Sequence, residues 1–483
     1  MSRIYLERNP LLILLGITLA MFLYTIWNYE IGLDDAWFAE QAYWFAQKGY
    51  VISELLSGLN NFDERHLTYH RLHIWQGAFA YQLFGWSIFT FKSISLVYLF
   101  LFLACSYLYI KKFKILELKV EYLIFYILIL SHALTVKMSF NYRPEIPMMA
   151  LGFLSFYLLH SSIAEQNIFK IIMSGIVAGL CVIFHLNGVV FLFAAGIVLL
   201  VTKNYRLLVM FSVASILTSL VYFIEISNKQ LLDLYILQFT NNPALSSKDF
   251  SLTGSIMKFL SFHRMYFHKG SDAIYTLLLI YVFWSQRSII LQNENLKVIF
   301  VYFISIVICL ALISPGGKSI YLIYHAPYAL LLVAALFKSI CEQNIVRKRT
   351  ITTMVSIFLL VQWVESYSLL PKEDYDLPTA HKELAKELAI PKGEKIVAPM
   401  VFVFNEMQDY NIQSFQPYRI RALKKFIQIE EFFSLASKDG RKFLILNDYD
   451  MHDLKLGKIT TGSRQGNYIY NGRRGLYYIF THI

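Results

Sequence analysis

The chain has 483 residues, of which 57% are hydrophobic and only 16% are charged. Soluble proteins carry about a quarter charged residues, so this composition excludes an entirely soluble chain. The formal net charge of +11 comes from basic residues scattered between apolar runs. That distribution is typical of membrane topology signals and argues against nucleic-acid binding. Four cysteines without CxxC spacing indicate neither a disulfide framework nor a zinc site.

Apolar runs of about 18 to 20 residues recur along the chain, each long enough to cross a hydrocarbon layer about 30 Å thick. We therefore predict a polytopic α-helical membrane protein of about eleven transmembrane helices, followed by a small C-terminal α/β soluble domain. The first run has no cleavage-site pattern after it and is expected to remain as a membrane anchor. The predicted spans are residues 10–28, 90–110, 120–138, 145–162, 168–185, 188–202, 206–225, 273–286, 297–314, 319–338 and 349–368.

The basic residues also predict an orientation. With the N-terminus in the cytoplasm, Lys and Arg gather in the loops that stay inside, as expected for a multi-pass protein of the cytoplasmic (inner) membrane. Residues 1–370 then form the transmembrane domain, with outer loops at about 29–86 and 226–272, and residues 371–483 form an extracytoplasmic domain. In this tail, alternating patterns predict helices at 379–389 and 427–437 and strands at 395–399 and 442–446.

An acidic pair, Asp34 and Asp35, directly follows the first span and precedes a segment rich in aromatic residues. Such a segment is typical of an amphipathic helix lying in the membrane interface. One interpretation makes the pair catalytic. The other has Asp34 capping the helix and Asp35 in its first turn, favoured by the helix dipole. Both hold together, because a capping carboxylate is also a well-positioned one.

The outer loop then carries a cationic segment with His66, His70, Arg71 and His73. A planar guanidinium matches phosphate geometry, which favours a phosphate-binding patch formed by His70 and Arg71, with His73 in support. Histidines at this spacing, joined by nearby acidic groups, could instead hold a divalent metal. A solvated basic loop beside lipid headgroups is the third alternative. The pattern assigns no metal ligand.

Further ionisable residues sit at the outer ends of later spans. Arg143 and Glu145 flank Pro144 at the start of the fourth span, where they form either a snorkelling interface pair or part of a site. His185 lies in a short turn between two spans, and Lys318 and His325 lie near another. All of them reach the same membrane face as Asp34. This asymmetry predicts an active site on that face.

Acidic groups and a ring of cations at the outer interface suit a sugar donor linked to polyprenyl phosphate. Its tail stays among the membrane lipids while its phosphate and sugar project outward. A phosphate leaving group needs no proton, so one carboxylate suffices as the general base for the acceptor hydroxyl. Arg and Lys stabilise the negative charge on the departing phosphate.

The order of these motifs resembles the GT-C glycosyltransferases, specifically the bacterial relatives of the protein O-mannosyltransferases and the lipid A aminoarabinose transferase (glycosyltransferase family 39-like). The resemblance implies an inverting transferase whose acidic motif is the base and whose cations (His70, Arg71, Arg143, Lys318 and His325) hold the lipid phosphate, with Glu145, His185 and His73 in support. The short sequences that carry it are Asp34-Asp35, His70-Arg71-Leu72-His73-Ile74-Trp75, Tyr81-Gln82-Leu83-Phe84-Gly85, Arg143-Pro144-Glu145, His185-Leu186-Asn187-Gly188, and Lys318 to Pro327.

Other functions remain open at this stage. A lipid-linked oligosaccharide flippase would also span the membrane, although transporters often show internal repeats, and none is visible here. An O-antigen polymerase or ligase would use a large outer loop in the second half, and 226–272 provides one. The sugar, the extracytoplasmic acceptor (lipid, glycan or protein), the polyprenyl length and which aspartate is the base are not encoded in a readable pattern.

Overall fold

Long helices make up the first part of the chain. The computed structural model describes residues 8–29, 31–116, 119–242, 251–313, 318–370, 377–457 and 459–483. In chain order, the helices of the first part are α1 (Arg8–Asn28), α2 (Leu33–Lys48), α3 (Arg71–Phe84), α4 (Ile88–Phe113), α5 (Lys119–Ser131), α6 (Ala133–Ser139), α7 (Glu145–Glu165), α8 (Ile168–Phe184), α9 (Val189–Val201), α10 (Tyr205–Leu220), α11 (Lys229–Thr240), α12 (Leu252–Ser261), α13 (Gly270–Gln292), α14 (Glu294–Ile313), α15 (Ala326–Gln343) and α16 (Ile345–Tyr367).

These helices confirm a multi-pass membrane protein. Within the described ranges, seven are long and apolar enough to cross a membrane, and the bent pair α5–α6 brings the number to eight. The shorter apolar helices α8 and α9 occupy two further predicted spans, and α16 occupies the last. A helix or bent pair therefore lies at every predicted position, because length and apolar composition suffice to place a span.

The bend between α5 and α6 is 65°, and a glutamine from α16 supports it. A helix broken inside a membrane exposes backbone groups that lipid cannot satisfy. The Gln362 side chain accepts a hydrogen bond from the Ala133 backbone N–H at 2.8 Å and donates one to the Ser271 carbonyl at 2.9 Å. This buried amide therefore ties the break to α13 and α16.

Helices α8 and α10 approach closely because α8 carries glycines four residues apart. A Cβ added at Gly175 would stand 2.7 Å from the Phe211 carbonyl oxygen, and one at Gly179 would stand 2.6 Å from the Thr218 Cβ. Small residues at this spacing allow helix backbones to pack directly in membranes.

The C-terminal part forms a mixed six-stranded sheet with short helices, which confirms the predicted α/β class. The strand order is β2-β1-β3-β6-β5-β4, with β1 parallel to β2 and β3 and the other pairs antiparallel. Its elements are α17 (Leu377–Glu387), β1 (Lys395–Val397), α18 (Val403–Glu406), β2 (Asn411–Gln413), α19 (Gln416–Leu423), α20 (Phe432–Lys438), β3 (Phe443–Leu446), α21 (Asp448–Asp453), β4 (Arg464–Gln465), β5 (Tyr468–Arg474) and β6 (Tyr477–His482).

The sheet packs against the loop that follows α2. The Leu55 carbonyl accepts hydrogen bonds from the Ser414 backbone N–H (3.0 Å) and hydroxyl (2.8 Å). The Trp86 indole N–H donates to the Phe404 carbonyl at 3.1 Å. One buried apolar cluster includes Phe38 of α2 and Ile479 of β6. Helix α2 is therefore held between the membrane helices and the C-terminal sheet.

We predict that Gly77→Ala destabilises the protein. A Cβ at Gly77 of α3 would lie 1.7 Å from the Tyr142 hydroxyl oxygen and 3.0 Å from the Ala42 Cβ. Overpacking of this kind costs about 1–3 kcal/mol, so the midpoint of thermal unfolding should fall by several degrees. Gly16→Ala is the matched control, since its Cβ meets nothing within 4 Å. Equal melting behaviour of the two variants would contradict the packing described here.

Candidate functional site

Asp35 is a buried anchor at the start of α2. Its carboxylate accepts hydrogen bonds from the Gly32 backbone N–H at 2.7 Å and from the Tyr142 backbone N–H at 2.5 Å. Gly32 is the N-cap residue, so the expectation that Asp34 caps this helix was wrong; Asp35 reaches back from the third position instead. The second bond ties α2 to the residue that precedes Arg143.

Lys92 of α4 is the cation nearest to Asp35, and we did not single it out from the sequence. Its ammonium lies 4.0 Å from the carboxylate, and both side chains are almost fully buried. Burial raises the pKa of Asp35, while Lys92 and the two backbone amides act against that shift. A lysine inside the apolar run 90–110 was the available signal, because a buried charge in a span needs a partner.

Asp34 lies one position earlier and is open to the solvent side. Its side chain is 45% exposed and forms an ion pair with the Arg143 guanidinium. The same guanidinium donates to both Glu145 carboxylate oxygens, at 3.1 and 2.7 Å. Glu145 is buried at the N-terminus of α7. The predicted Arg143–Glu145 pair is therefore present, and it also positions Asp34.

Three histidine side chains lie beside the Asp34, Arg143 and Glu145 cluster. The rings of His70 and His185 stack with centroids 4.3 Å apart, and His73 stacks on Tyr142 at 4.2 Å. His185 Nδ1 accepts a hydrogen bond from the Asn187 backbone N–H at 2.9 Å, while neither His73 ring nitrogen has a partner among the described residues. Burial lowers the pKa of His73 and of His185 to about 3, and that of His70 well below its usual value.

Arg71 points elsewhere. It is fully buried, and its guanidinium pairs with Glu225 at 2.7 Å and donates to the Tyr222 carbonyl. Arg65 also pairs with Glu225, at 3.1 Å. In this arrangement Arg71 joins the start of α3 to the segment after α10.

Lys318 and His325 bracket a single 3-10 segment, Ser319–Tyr324. Lys318 is exposed to solvent. His325 is buried, and its ring nitrogens contact the hydroxyls of Tyr275 (3.1 Å) and Tyr266 (3.3 Å). Lys318 is thus open to solvent, whereas His325 already holds two tyrosines in place.

A metal centre was one alternative for the histidine-rich loop. Over the part of the chain that the structure describes, no three His, Cys, Asp or Glu side chains are placed to hold a metal ion. His66 instead packs against Trp37 and Phe62, and burial lowers its pKa to about 3. The structure thus brings together Asp34, Asp35, Arg143, Glu145, His70, His73 and His185.

The fold is that of the GT-C class of glycosyltransferases, as comparison with solved structures shows. ArnT from Cupriavidus metallidurans in the apo state matches with a TM-score of 0.62 at 11% identity, over 98% of this chain and 97% of that one. The same enzyme bound to undecaprenyl phosphate matches with a TM-score of 0.62 at 12% identity, over 98% of each chain.

A third similar structure is the oligosaccharyltransferase AglB from Archaeoglobus fulgidus, in complex with an inhibitory peptide and a dolichol-phosphate. It matches with a TM-score of 0.51 at 11% identity, over 93% of this chain and 70% of that one. No family model matches the sequence, and no curated protein matches it. At these identities the likeness establishes the shared architecture.

We predict that this region loses stability in acid because of its buried neutral histidines. A folded-state pKa depressed below the unfolded value of about 6.5 gives stability that is present above pH 6.5 and lost as pH falls towards the folded value. For His73 that window runs from pH 6.5 down to about 3. The unfolding midpoint, followed by intrinsic fluorescence across this range, should fall less steeply in His73→Phe.

The control for this experiment is His452→Phe, at an exposed histidine of α21. It should keep the wild-type pH dependence, because the buried His73 ring and its surroundings are unchanged in this variant. An unchanged slope in His73→Phe would show that the imidazole is not held neutral.

Proposed function

We propose that this protein transfers a sugar from a polyprenyl-phosphate donor to an acceptor hydroxyl on the outer side of the cytoplasmic membrane, with inversion. The observation that carries the proposal is the half-exposed Asp34 carboxylate. It forms an ion pair with Arg143, which also pairs with the buried Glu145. The GT-C fold supports it, because two similar structures hold undecaprenyl phosphate and a dolichol-phosphate.

In this proposal Asp34 is the general base and Asp35 positions it. Asp35 is buried and accepts two backbone hydrogen bonds, so it has no room for an acceptor hydroxyl. Asp34 is accessible and forms an ion pair with Arg143. Its carboxylate takes the acceptor hydroxyl proton as the acceptor oxygen bonds to the anomeric carbon. The bond from that carbon to the phosphate oxygen breaks, and its electron pair leaves with the lipid phosphate.

Arg143, Lys318 and His70 are the groups we assign to the phosphate. Arg143 already lies beside the base, where negative charge develops on the leaving group. Lys318 is exposed to solvent. The His70 ring stacks on the His185 ring. Arg71 and His325 are engaged by Glu225 and by tyrosines, so we give them supporting roles.

The orientation and domain division belong to the same proposal. The N-terminus is placed in the cytoplasm, residues 1–370 form the membrane domain and residues 371–483 lie outside. The C-terminal sheet packs on the loop that follows α2, so an acceptor (a lipid, a glycan or a protein) would approach Asp34 beside it.

We predict that Asp34→Asn lowers sugar transfer by about 10²–10⁴-fold, the usual contribution of a general base. Its unfolding midpoint should stay near that of the wild type, because the Asp34 side chain is 45% exposed and Arg143 keeps its pair with Glu145. Asp35→Asn should lower the midpoint as well as the transfer rate, because a buried anchor is lost. Transfer is measured in membranes with a radiolabelled polyprenyl-phosphate sugar.

Asp233→Asn is the matched control, since Asp233 is an exposed acidic residue of the outer helix α11. It should leave transfer unchanged. Full activity of Asp34→Asn would contradict the assignment of Asp34 as the general base. Retained lipid translocation by an inactive variant would instead favour a flippase.

We predict that Lys318→Gln raises the KM for the donor several-fold and changes kcat little. A single lysine contact to phosphate contributes about 1 kcal/mol, which corresponds to a factor of about five. The effect should shrink at high ionic strength, because the lysine is exposed. Lys229→Gln, an exposed lysine of α11, serves as the control. An equal donor KM in both variants would contradict the assignment of Lys318 to phosphate binding.

A further inference from the structure

A cavity of about 440 Å³ lies on the membrane face opposite to Asp34, and we call it the far-face cavity. Helix α7 begins at Glu145, beside the candidate site, and runs for 21 residues, which is about 30 Å. Ile163 and Ala164 of its last turn line the cavity, together with the end of α9 and the start of α14. This volume falls in the range of small-molecule sites, about 300–1,000 Å³.

The far-face cavity has an apolar wall and a polar rim. The wall is formed by aliphatic side chains of three helices, which are Ile163, Val198, Val201, Val298 and Val301. The rim is formed by residues at the helix ends, which are Lys203, Asn204, Glu294, Asn295 and Lys297. Helix ends of membrane proteins lie at the depth of the lipid headgroups. An amphipathic ligand of the bilayer therefore matches this surface better than a free polar solute.

The charges of the rim favour an anion. Lys203 is exposed and forms no ion pair within the described parts of the chain. Lys297 contacts Glu294 at 3.4 Å, but the two residues are one helical turn apart and the Glu294 side chain is 77% exposed, so the pair contributes little. Both ammonium groups can therefore turn to a phosphate.

The floor of the far-face cavity is already ordered. The ring of the buried His160 contacts the Tyr109 hydroxyl at 2.9 Å through Nδ1 and stacks on Phe113 at 4.0 Å. The Asn295 amide donates to the Phe113 carbonyl at 3.3 Å. The free-energy cost of ordering these side chains when a ligand binds is therefore small.

We propose that the far-face cavity binds one anionic phospholipid of the adjacent leaflet. Its headgroup phosphate lies between Lys203 and Lys297, and the first part of an acyl chain lies along the valine wall. This site is separate from the reaction proposed above and holds whether or not that reaction is correct.

The test is native mass spectrometry of the purified full-length protein with phosphatidylglycerol or phosphatidylcholine. The wild type should retain one phosphatidylglycerol and much less phosphatidylcholine. The Lys203→Gln, Lys297→Gln double variant should retain about 25-fold less lipid, as expected when two lysine contacts to an anionic headgroup are removed. Ala164→Trp, which fills the cavity without changing charge, should lose the lipid too.

The control is the Lys111→Gln, Arg349→Gln double variant, at exposed cations on the same face that do not line the cavity. It should retain the lipid as the wild type does. Equal retention by the Lys203, Lys297 variant would overturn the proposal, as would equal retention of both lipids. Displacement of the lipid by inorganic phosphate alone would show a free-phosphate site instead.

Discussion

The hydrogen bond from the Tyr142 backbone N–H to the Asp35 carboxylate is the constraint on which the rest of the site depends. It joins α2 to the turn that leads into α7. The other carboxylate oxygen holds the Gly32 N–H, so the start of α2 cannot rotate without breaking one of the two bonds. Asp34 is the next residue back along the chain. Its direction is therefore fixed by Asp35, and the tyrosine that holds Asp35 immediately precedes Arg143, the partner of Asp34.

Burying Asp35 is costly unless its charge is balanced, and Lys92 supplies the balance. Removing Lys92 would therefore take away the ion-pair partner of a buried carboxylate. Lys92 also lies near the rings of Tyr29 and Phe140, at 5.5 and 5.3 Å, which helps to hold a cation in apolar surroundings. The two aspartates therefore differ: Asp35 is buried and paired with Lys92, whereas the Asp34 side chain is partly exposed to solvent.

The sequence predicts the spans well, because crossing a membrane imposes a local requirement on about 20 consecutive residues. It also brings most of the site to one face, since the ends of successive spans alternate between two surfaces. Contacts between segments that are distant in the chain cannot be predicted in this way. The pairing of Arg71 with Glu225, 154 positions later, has no local signature, so the sequence does not show that this arginine has a carboxylate partner. The strands β2, β4, β5 and β6 were missed for a related reason, because their pattern is short and their stability comes from pairing in the sheet.

The C-terminal sheet belongs to the same mechanical unit as the acidic pair. Glu40 lies on α2, two turns after Asp34, and accepts hydrogen bonds from the Ser53 hydroxyl at 2.7 Å and the Leu55 backbone N–H at 2.9 Å. The Leu55 carbonyl in turn accepts both hydrogen bonds from Ser414. Burial raises the pKa of Glu40 to about 8, and the hydrogen bonds from Ser53 and Leu55 act against that shift. A displacement of the sheet would reach α2 through this short series of hydrogen bonds. The sheet is therefore part of what sets the position of Asp34, in addition to any contact that it makes with an acceptor.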